Sequence, residues 1–212
     1  MMPKLRAKQL RNAAFYVMVV LMAALTLLPF LFMLSSSFKG SEAIRTIPIR
    51  WIPERPTLEG YIRVFNMPGF SFGRASLNSL FLALATTLVQ VLSACMAAFV
   101  FAKLPFRGSD KLFGLYLATM MIPGTVTMVP NYIILRIMGL LDSYTGLILP
   151  ALANAFGMFL MRQAMITVPD SYLESAMLDG ASLYRVFLVI LLPMVAPTFF
   201  TLVLLAFMGA WN

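Results

Sequence analysis

The chain has 212 residues, of which 61% are hydrophobic and only 11% are charged. Soluble domains are about 45–50% apolar and about 25% charged, so a single aqueous core cannot cover this much apolar surface. The composition therefore indicates a membrane protein. The net charge of +8 does not predict nucleic-acid binding, because the basic residues flank apolar runs and form no single patch.

Residue types that enzymes and metal sites use most often are scarce. There is no histidine, and the single cysteine, Cys95, lies in an apolar run and has no partner for an internal disulfide. The sequence also lacks the phosphate-binding pattern G-x-x-x-x-G-K-[ST]. We therefore expect no catalytic residues, no metal site and no cofactor in this chain.

Five apolar stretches contain no Asp, Glu, Lys or Arg, and they are residues 12–38, 75–102, 112–135, 143–161 and 186–212. Each is near or above the roughly 18 residues that a membrane-spanning helix needs. Because helices satisfy their own backbone polar groups in lipid, the pattern predicts an all-α, polytopic membrane helical bundle. The first stretch also has signal-peptide features, but it exceeds an apolar region of about 7–15 residues, which favours a retained helix.

Basic residues near the ends of the stretches predict the orientation. Lys4, Arg6, Lys8 and Arg11 precede the first stretch, and more basic residues crowd the link 103–111. We therefore expect the N-terminus and the links 103–111 and 162–185 to be cytoplasmic.

The links 39–74 and 136–142 are then expected to face outward. Link 39–74 also carries basic residues, which weakens the rule without reversing it. Its many prolines and glycines predict a connector on the membrane surface, with Trp51, Tyr61 and Phe65 near the lipid headgroups. In the third stretch, Pro123 and Pro130 leave two alternatives open, a kinked spanning helix or a turn that ends the span early.

The link before the fifth stretch has strong helix signals. Pro169 ends the preceding element, Ser171 and Glu174 match the S-x-x-E capping box, and a helix is expected from about Tyr172 to Asp179. Gly180 suits a left-handed residue at the helix end, and Ser182 suits the cap of a helix that continues into the fifth stretch. The pattern predicts a helix–turn–helix elbow whose partly apolar surface is formed by Tyr172, Leu173, Ala176 and Met177.

Six positions of this link fit one signature at matching spacing: Glu174, Ala176, Gly180, Ile190, Leu192 and Pro193. The signature is E-A-A, three residues, G, nine residues and I-x-L-P, and Ser175 replaces its second letter. With the segments LLDSYTGLILP (140–150), FLMRQ (159–163) and GAWN (209–212), the chain resembles the maltose-permease-like, carbohydrate-uptake membrane subunits of binding-protein-dependent ABC importers.

The resemblance implies a type I ABC importer permease fold in a prokaryotic inner membrane, with one transmembrane domain over residues 1–212. Residues 166–193, here called the elbow, would couple the chain to a cytoplasmic ABC ATPase dimer. The coupling residues it implies are Tyr172, Leu173, Glu174, Ser175, Ala176, Met177, Asp179, Gly180, Ile190, Leu192 and Pro193. Further implied partners are a second permease subunit in a heterodimer, an extracytoplasmic solute-binding protein and membrane lipid. Such subunits have six spans, so a sixth is expected to be missing and the sequence to be a fragment.

The implied cargo is a sugar or sugar-like solute, with glycerol phosphate or another polar solute as the alternative. Neutral polar groups in the spans suit hydroxyl groups of a solute, although they also join helices. The candidates for the path are Asn78, Gln90, Asn154 and Thr198. A secondary transporter is a weaker alternative, because proton-coupled carriers place ionisable residues inside the membrane and the five stretches contain none. A membrane enzyme and a purely structural subunit fit the sequence less well.

Overall fold

The computed structural model describes residues 2–44, 47 and 49–211, and it gives side chains from residue 12 onward. Within these residues the protein is helical and has no β-strand, which confirms the predicted all-α class. The α-helices are α1 (Met2–Ser37), α2 (Ser41–Ile44), α3 (Glu59–Phe65), α4 (Phe72–Lys103), α5 (Ser109–Ala118), α6 (Gly124–Ile137), α7 (Tyr144–Ile148), α8 (Ala155–Ile166), α9 (Asp170–Leu178), α10 (Leu183–Arg185), α11 (Leu192–Met194) and α12 (Ala196–Trp211). The basic side chains at residues 4–11 and Asn212, which entered the sequence argument, lie outside the described part.

Two helices are long and apolar enough to cross a membrane as single rods, residues 12–37 of α1 and the whole of α4. Three further candidates are bent pairs of helices, at residues 109–137, 144–166 and 183–211, with bends of 100°, 42° and 87°. If each bent pair is one span, the described residues contain up to five spans, as the apolar stretches predict.

The chain divides into two compact units, residues 1–75 and residues 76–212. In the first unit, the link after α1 folds onto the end of that helix. Lys39 is only 5% exposed, and its Nζ donates to the carbonyl oxygen of Arg50 at 2.5 Å. Trp51 packs edge-on against Phe32 with ring centroids 5.2 Å apart, and the Tyr61 hydroxyl donates to Ser37 Oγ at 2.9 Å. The link is therefore a folded segment that includes α2 and α3.

The second unit contains the described hydrophobic core. One face of α4 supplies residues at helical spacing, including Val91, Cys95 and Phe99. Met158, Met161 and Met165 of α8 pack in the same core, with residues from the elbow and from α12. Gly157 allows the close approach of α8 and α12, because a Cβ there would lie 2.9 Å from Leu202 Cδ1.

Proline positions account for two of the bends. The third stretch turns by 100° at Ile122–Pro123, whereas Pro130 lies within α6 without ending it. The helical segment that Ser182 caps continues into the fifth stretch as predicted, but it ends at Met194, and the chain bends by 87° before α12. Pro197 has no N–H to donate to the carbonyl four residues earlier, so the helical hydrogen bonds are interrupted at this point.

Candidate functional site

The first helix of the elbow, α9, begins earlier than the sequence predicts. Helix α9 starts at Asp170, its N-cap is Pro169, and no side chain caps it. Ser171 lies inside the first turn, and its carbonyl oxygen accepts a hydrogen bond from Ser175 Oγ at 2.7 Å. The predicted capping box of Ser171 and Glu174 is therefore wrong, because the fixed backbone of Pro169 places the helix start before Ser171.

The end of α9 is the turn that the sequence predicts. Gly180 has a φ of +82°, in the left-handed region where a side chain is strained. The amide of Gly180 donates to the carbonyl of Met177 at 3.0 Å, and the amide of Ala181 donates to the carbonyl of Ala176 at 3.0 Å. This pair of bonds is the Schellman motif, which satisfies the last carbonyls of a helix.

The second arm of the elbow starts at the predicted cap. Ser182 has extended backbone dihedrals, and its hydroxyl accepts from the amide of Arg185 at 3.4 Å. The chain continues through α10 into a π-helical segment, Val186–Leu191. Val186 and Leu191 are fully buried, so this arm is fixed in the core of the second unit.

The exposed face of α9 differs from the predicted one. Leu173 is 6% exposed and packs in the core, and Ala176 is half-buried against the core. Tyr172 and Met177 are exposed as predicted. Leu178, which is not among the predicted surface residues, is 88% exposed. The helix therefore uses its 173/176 side to attach the elbow and presents the apolar side chains of residues 172, 177 and 178.

The remaining predicted coupling residues fall into two groups. Glu174 and Asp179 are exposed on α9, and Ile190 lines a groove of about 280 Å³ together with Ala176 and Asp179. Leu192 packs partly against the core, and Pro193 is exposed beside it at the start of α11. The structure thus places Ile190 beside the C-terminal end of α9. Leu192 and Pro193 lie in the second arm of the elbow, which supports this helix.

Lys103, one of the basic residues of the link 103–111, binds the start of α9. The side chain of Lys103, the last residue of α4, is 3% exposed. Its Nζ donates to the carbonyl oxygen of Val168 at 2.6 Å and to Asp170 Oδ1 at 2.5 Å. The sequence shows that Lys103 follows an apolar stretch, but it does not predict that Lys103 binds Val168 and Asp170, which are 65 and 67 residues away.

Arg162 forms a second basic contact at the same end of this unit. Its Nε donates to the carbonyl oxygen of Phe101 at 3.2 Å, and its guanidinium carbon lies 4.0 Å from the centroid of the Phe113 ring. An Asp110 oxygen is 3.7 Å from its Nη2. The links 103–111 and 162–185 are therefore adjacent. This is compatible with the prediction that both are cytoplasmic.

The four candidate path residues are dispersed over two helices, α4 and α12, and the start of a third, α8. Asn78 accepts a hydrogen bond from the Tyr144 hydroxyl at 3.3 Å, and Asn154 caps α8 by accepting from the amide of Gly157 at 2.8 Å. Gln90 and Thr198 are half-buried on α4 and α12. In the part of the chain that the structure describes, no hydrogen bond joins any two of these four side chains.

Ser93 adds a polar contact at the break between α7 and α8. Its Oγ donates to the carbonyl oxygen of Leu152 at 2.8 Å. This carbonyl belongs to the 3₁₀ turn Leu149–Leu152, next to the 42° bend of the fourth candidate span. Ser93 therefore satisfies a backbone group that the bend would otherwise leave without a partner.

Comparison with known proteins identifies relatives over most of the chain. A probable ABC transporter permease protein of Pyrococcus horikoshii is 34% identical, covering 88% of this chain and 68% of that protein. The trehalose transport system permease protein of Mycobacterium tuberculosis is 31% identical, covering 95% of this chain and 73% of that protein. The arabinooligosaccharides transport system permease protein of Bacillus subtilis is 30% identical, covering 91% of this chain and 69% of that protein. The chain thus spans about two thirds to three quarters of the length of these relatives.

A solved structure supports the fold independently. It is a bacterial ABC transporter involved in the import of the acidic polysaccharide alginate, with a TM-score of 0.83 over 98% of this chain and 72% of that chain. The sequence identity is 23%, so this likeness shows the ABC importer permease fold alone. The family model described as "Binding-protein-dependent transport system inner membrane component" matches residues 90–212, which include the whole elbow. The chain belongs to this family of inner membrane transport components.

Proposed function

We propose that this chain is the membrane-spanning permease subunit of an ATP-driven importer and that the elbow couples it to a separate ATPase. The structure of the elbow is the main support for this proposal. Helix α9 is anchored to the core through Leu173, is closed by the turn at Gly180 and exposes Tyr172, Met177 and Leu178. A short, firmly held helix with exposed apolar side chains suits insertion into a groove of a partner protein.

The acidic residues of α9 would add specificity to this docking. Glu174 on α9 and Asp179 directly after it are exposed, so a partner groove with basic residues would attract the helix. Glu174 makes no capping contact in α9, which leaves its carboxylate available for such a partner. Ser175 and Ala176 are small, and Gly180 carries no side chain, so the backbone can approach closely at this end.

The solute that best fits is a sugar or a sugar-like compound. Relatives of the chain are named for trehalose and for arabinooligosaccharides, and another, from Shigella flexneri, is named for sn-glycerol-3-phosphate. The path candidates Asn78, Gln90, Asn154 and Thr198 offer neutral hydrogen-bonding groups, which suit hydroxyl groups. A glycerol phosphate would need basic groups in the path, so the neutral candidates favour an uncharged sugar.

The same proposal assigns the partners and the orientation. The chain would pair with a second permease subunit, dock on an ATPase dimer and receive its solute from an extracytoplasmic binding protein. The N-terminus, residues 103–111 and the elbow would be cytoplasmic, as the basic flanks predict. The chain itself would perform no catalysis, because energy would come from ATP hydrolysis in the partner.

Uptake by reconstituted vesicles tests the proposal. The permease is reconstituted with its partner permease, ATPase and binding protein, and uptake of radiolabelled trehalose, an arabino-oligosaccharide and sn-glycerol-3-phosphate is measured. We expect uptake of a sugar that requires ATP and each partner. Omission of ATP or of the binding protein serves as the control for each solute.

Two results would contradict different parts of the proposal. Uptake driven by a proton gradient without ATP would indicate a secondary transporter and would remove the ATPase-coupled function. ATP-dependent uptake of glycerol phosphate but of neither sugar would keep the importer and overturn the sugar assignment.

A further inference from the structure

We propose that Lys103 is a positioning residue for the elbow, which it ties to the end of α4 so that the second span and α9 move together. This inference rests on the proposed function of the elbow as the contact with an ATPase. Lys103 lies outside the segment 166–193 and outside the signature that extends from Glu174 to Pro193.

The geometry places one ammonium group at the junction of three segments. Lys103 is the last residue of α4, Val168 follows α8, and Asp170 is the first residue of α9. The Nζ atom lies 2.6 Å from the Val168 carbonyl oxygen and 2.5 Å from Asp170 Oδ1. A single side chain therefore holds both the residue before and the residue after Pro169, where the chain turns into the elbow.

Burial makes these contacts effective. The Lys103 side chain is 3% exposed, whereas that of Asp170 is 72% exposed. The Asp170 side of the pair is screened by solvent, so the ion pair alone would contribute little. A buried ammonium without partners is costly, however, and the carbonyl of Val168 supplies the contact away from solvent. Displacing the elbow from α4 would leave this charge without its partners.

No described side chain caps the start of α9. Its N-cap is Pro169, and none of the described side chains accepts from its first amides. Asp170 places a negative charge in the first turn, which favours the helix, and Lys103 fixes the position of that charge. A force applied to α9 by a partner would therefore reach α4 through Lys103.

Amide hydrogen exchange in the detergent-purified protein tests the local contact. In Lys103→Met, we expect the amides of residues 173–179 to exchange about tenfold faster, since bonds to charged groups commonly change an opening equilibrium by that factor or more. Lys103→Arg should restore much of the protection. Lys111→Met, which removes an exposed lysine from the same link, is the control and should exchange as the wild type does.

The Asp170→Asn variant and the double variant with Lys103→Met complete a double-mutant cycle. Asp170→Asn keeps the bond between Lys103 and Val168, so its effect should be smaller than that of Lys103→Met. In the Lys103→Met background its effect should be smaller than in the wild type, because only the interaction of Asp170 with the helix dipole is then left to lose. Additive effects of the two substitutions, or unchanged exchange in Lys103→Met, would overturn the proposed contact.

Coupling in the reconstituted importer tests the role. We expect Lys103→Met complexes to assemble and to hydrolyse ATP while carrying about tenfold less solute per ATP, with recovery in Lys103→Arg. A merely structural residue would lower the amount of complex and leave this ratio unchanged, which would overturn the positioning role. If Lys103→Met does not accumulate, Asp170→Asn carries the same measurement. Absence of ATP-dependent uptake in the wild type would count against the proposed function, while the exchange experiment still decides the contact.

Discussion

The guanidinium carbon of Arg162 lies 4.0 Å from the centroid of the Phe113 ring, which places a cation over the face of an aromatic side chain. The same guanidinium donates to the carbonyl oxygen of Phe101 at 3.2 Å. Since Phe101 is in α4, Phe113 in α5 and Arg162 in α8, one residue connects three helices. Arg162 and Lys103 are therefore two buried or half-buried basic groups in the second unit, close to the elbow.

Removing Arg162 should destabilise the protein. Arg162→Met keeps most of the side-chain length but loses the contact with Phe113 and the bond to Phe101, and we expect a loss of roughly 1–3 kcal/mol. The measurement is the melting temperature of the detergent-purified chain. Arg136→Met is the matched control, because Arg136 is exposed near the end of α6. Equal melting temperatures for both variants would show that Arg162 does not join the helices in the way we infer.

Replacing Gly180 should affect coupling through the backbone. A β-branched residue in the left-handed region costs about 1–2 kcal/mol or more, and a Cβ at Gly180 would meet no atom within 4 Å, so strain is the expected cause. Gly180→Val should therefore lower ATP-dependent uptake and favour hydrolysis without transport. Gly180→Asn, which tolerates this conformation better, should stay close to the wild type. Wild-type uptake and assembly in Gly180→Val would contradict the coupling role of the elbow.

Features that depend on neighbours in the sequence could be predicted. The left-handed Gly180 and the Ser182 cap follow from the preferences of single residues for helix ends, and the structure confirms both. The apolar stretches likewise predict the helical class, because a stretch of about 20 apolar residues has few alternatives in lipid.

Features that depend on tertiary packing could not be predicted from the sequence. Leu173 matches its exposed neighbours in character, and only the fold shows that it points into the core. The charge of Lys103 indicates a cytoplasmic flank, but the carbonyl of Val168 that it binds is distant in sequence. The bend at Val195 has a local cause in Pro197, yet prolines are often tolerated in spanning helices, so its presence alone did not predict an 87° bend.

Cysteine labelling tests the orientation. In a Cys95→Ala background, we expect single cysteines at Arg107 and at Leu178 to react only when the reagent reaches the cytoplasm, because the basic flanks predict that both links are inside. Leu178 is 88% exposed and so is accessible to reagent. A cysteine at Ile52, which is 81% exposed in link 39–74, should react from outside in intact cells. Labelling of residue 178 from outside, with residue 52 protected, would reverse the predicted orientation.

Asn154 allows a structural role to be separated from a role in the solute path. Its Oδ1 caps α8 at Gly157, and loss of such a cap costs about 0.5–2 kcal/mol. Asn154→Ala should therefore lower the melting temperature, whereas Asn154→Ser keeps a capping oxygen and should not. Because serine lacks the amide N–H donors, we expect Asn154→Ser to raise the KM for solute uptake several-fold. Ser143→Ala is the control, since Ser143 caps α7 in the same way and is outside the proposed path. It should lower the melting temperature without changing KM, and an unchanged KM in Asn154→Ser would leave Asn154 as a cap alone.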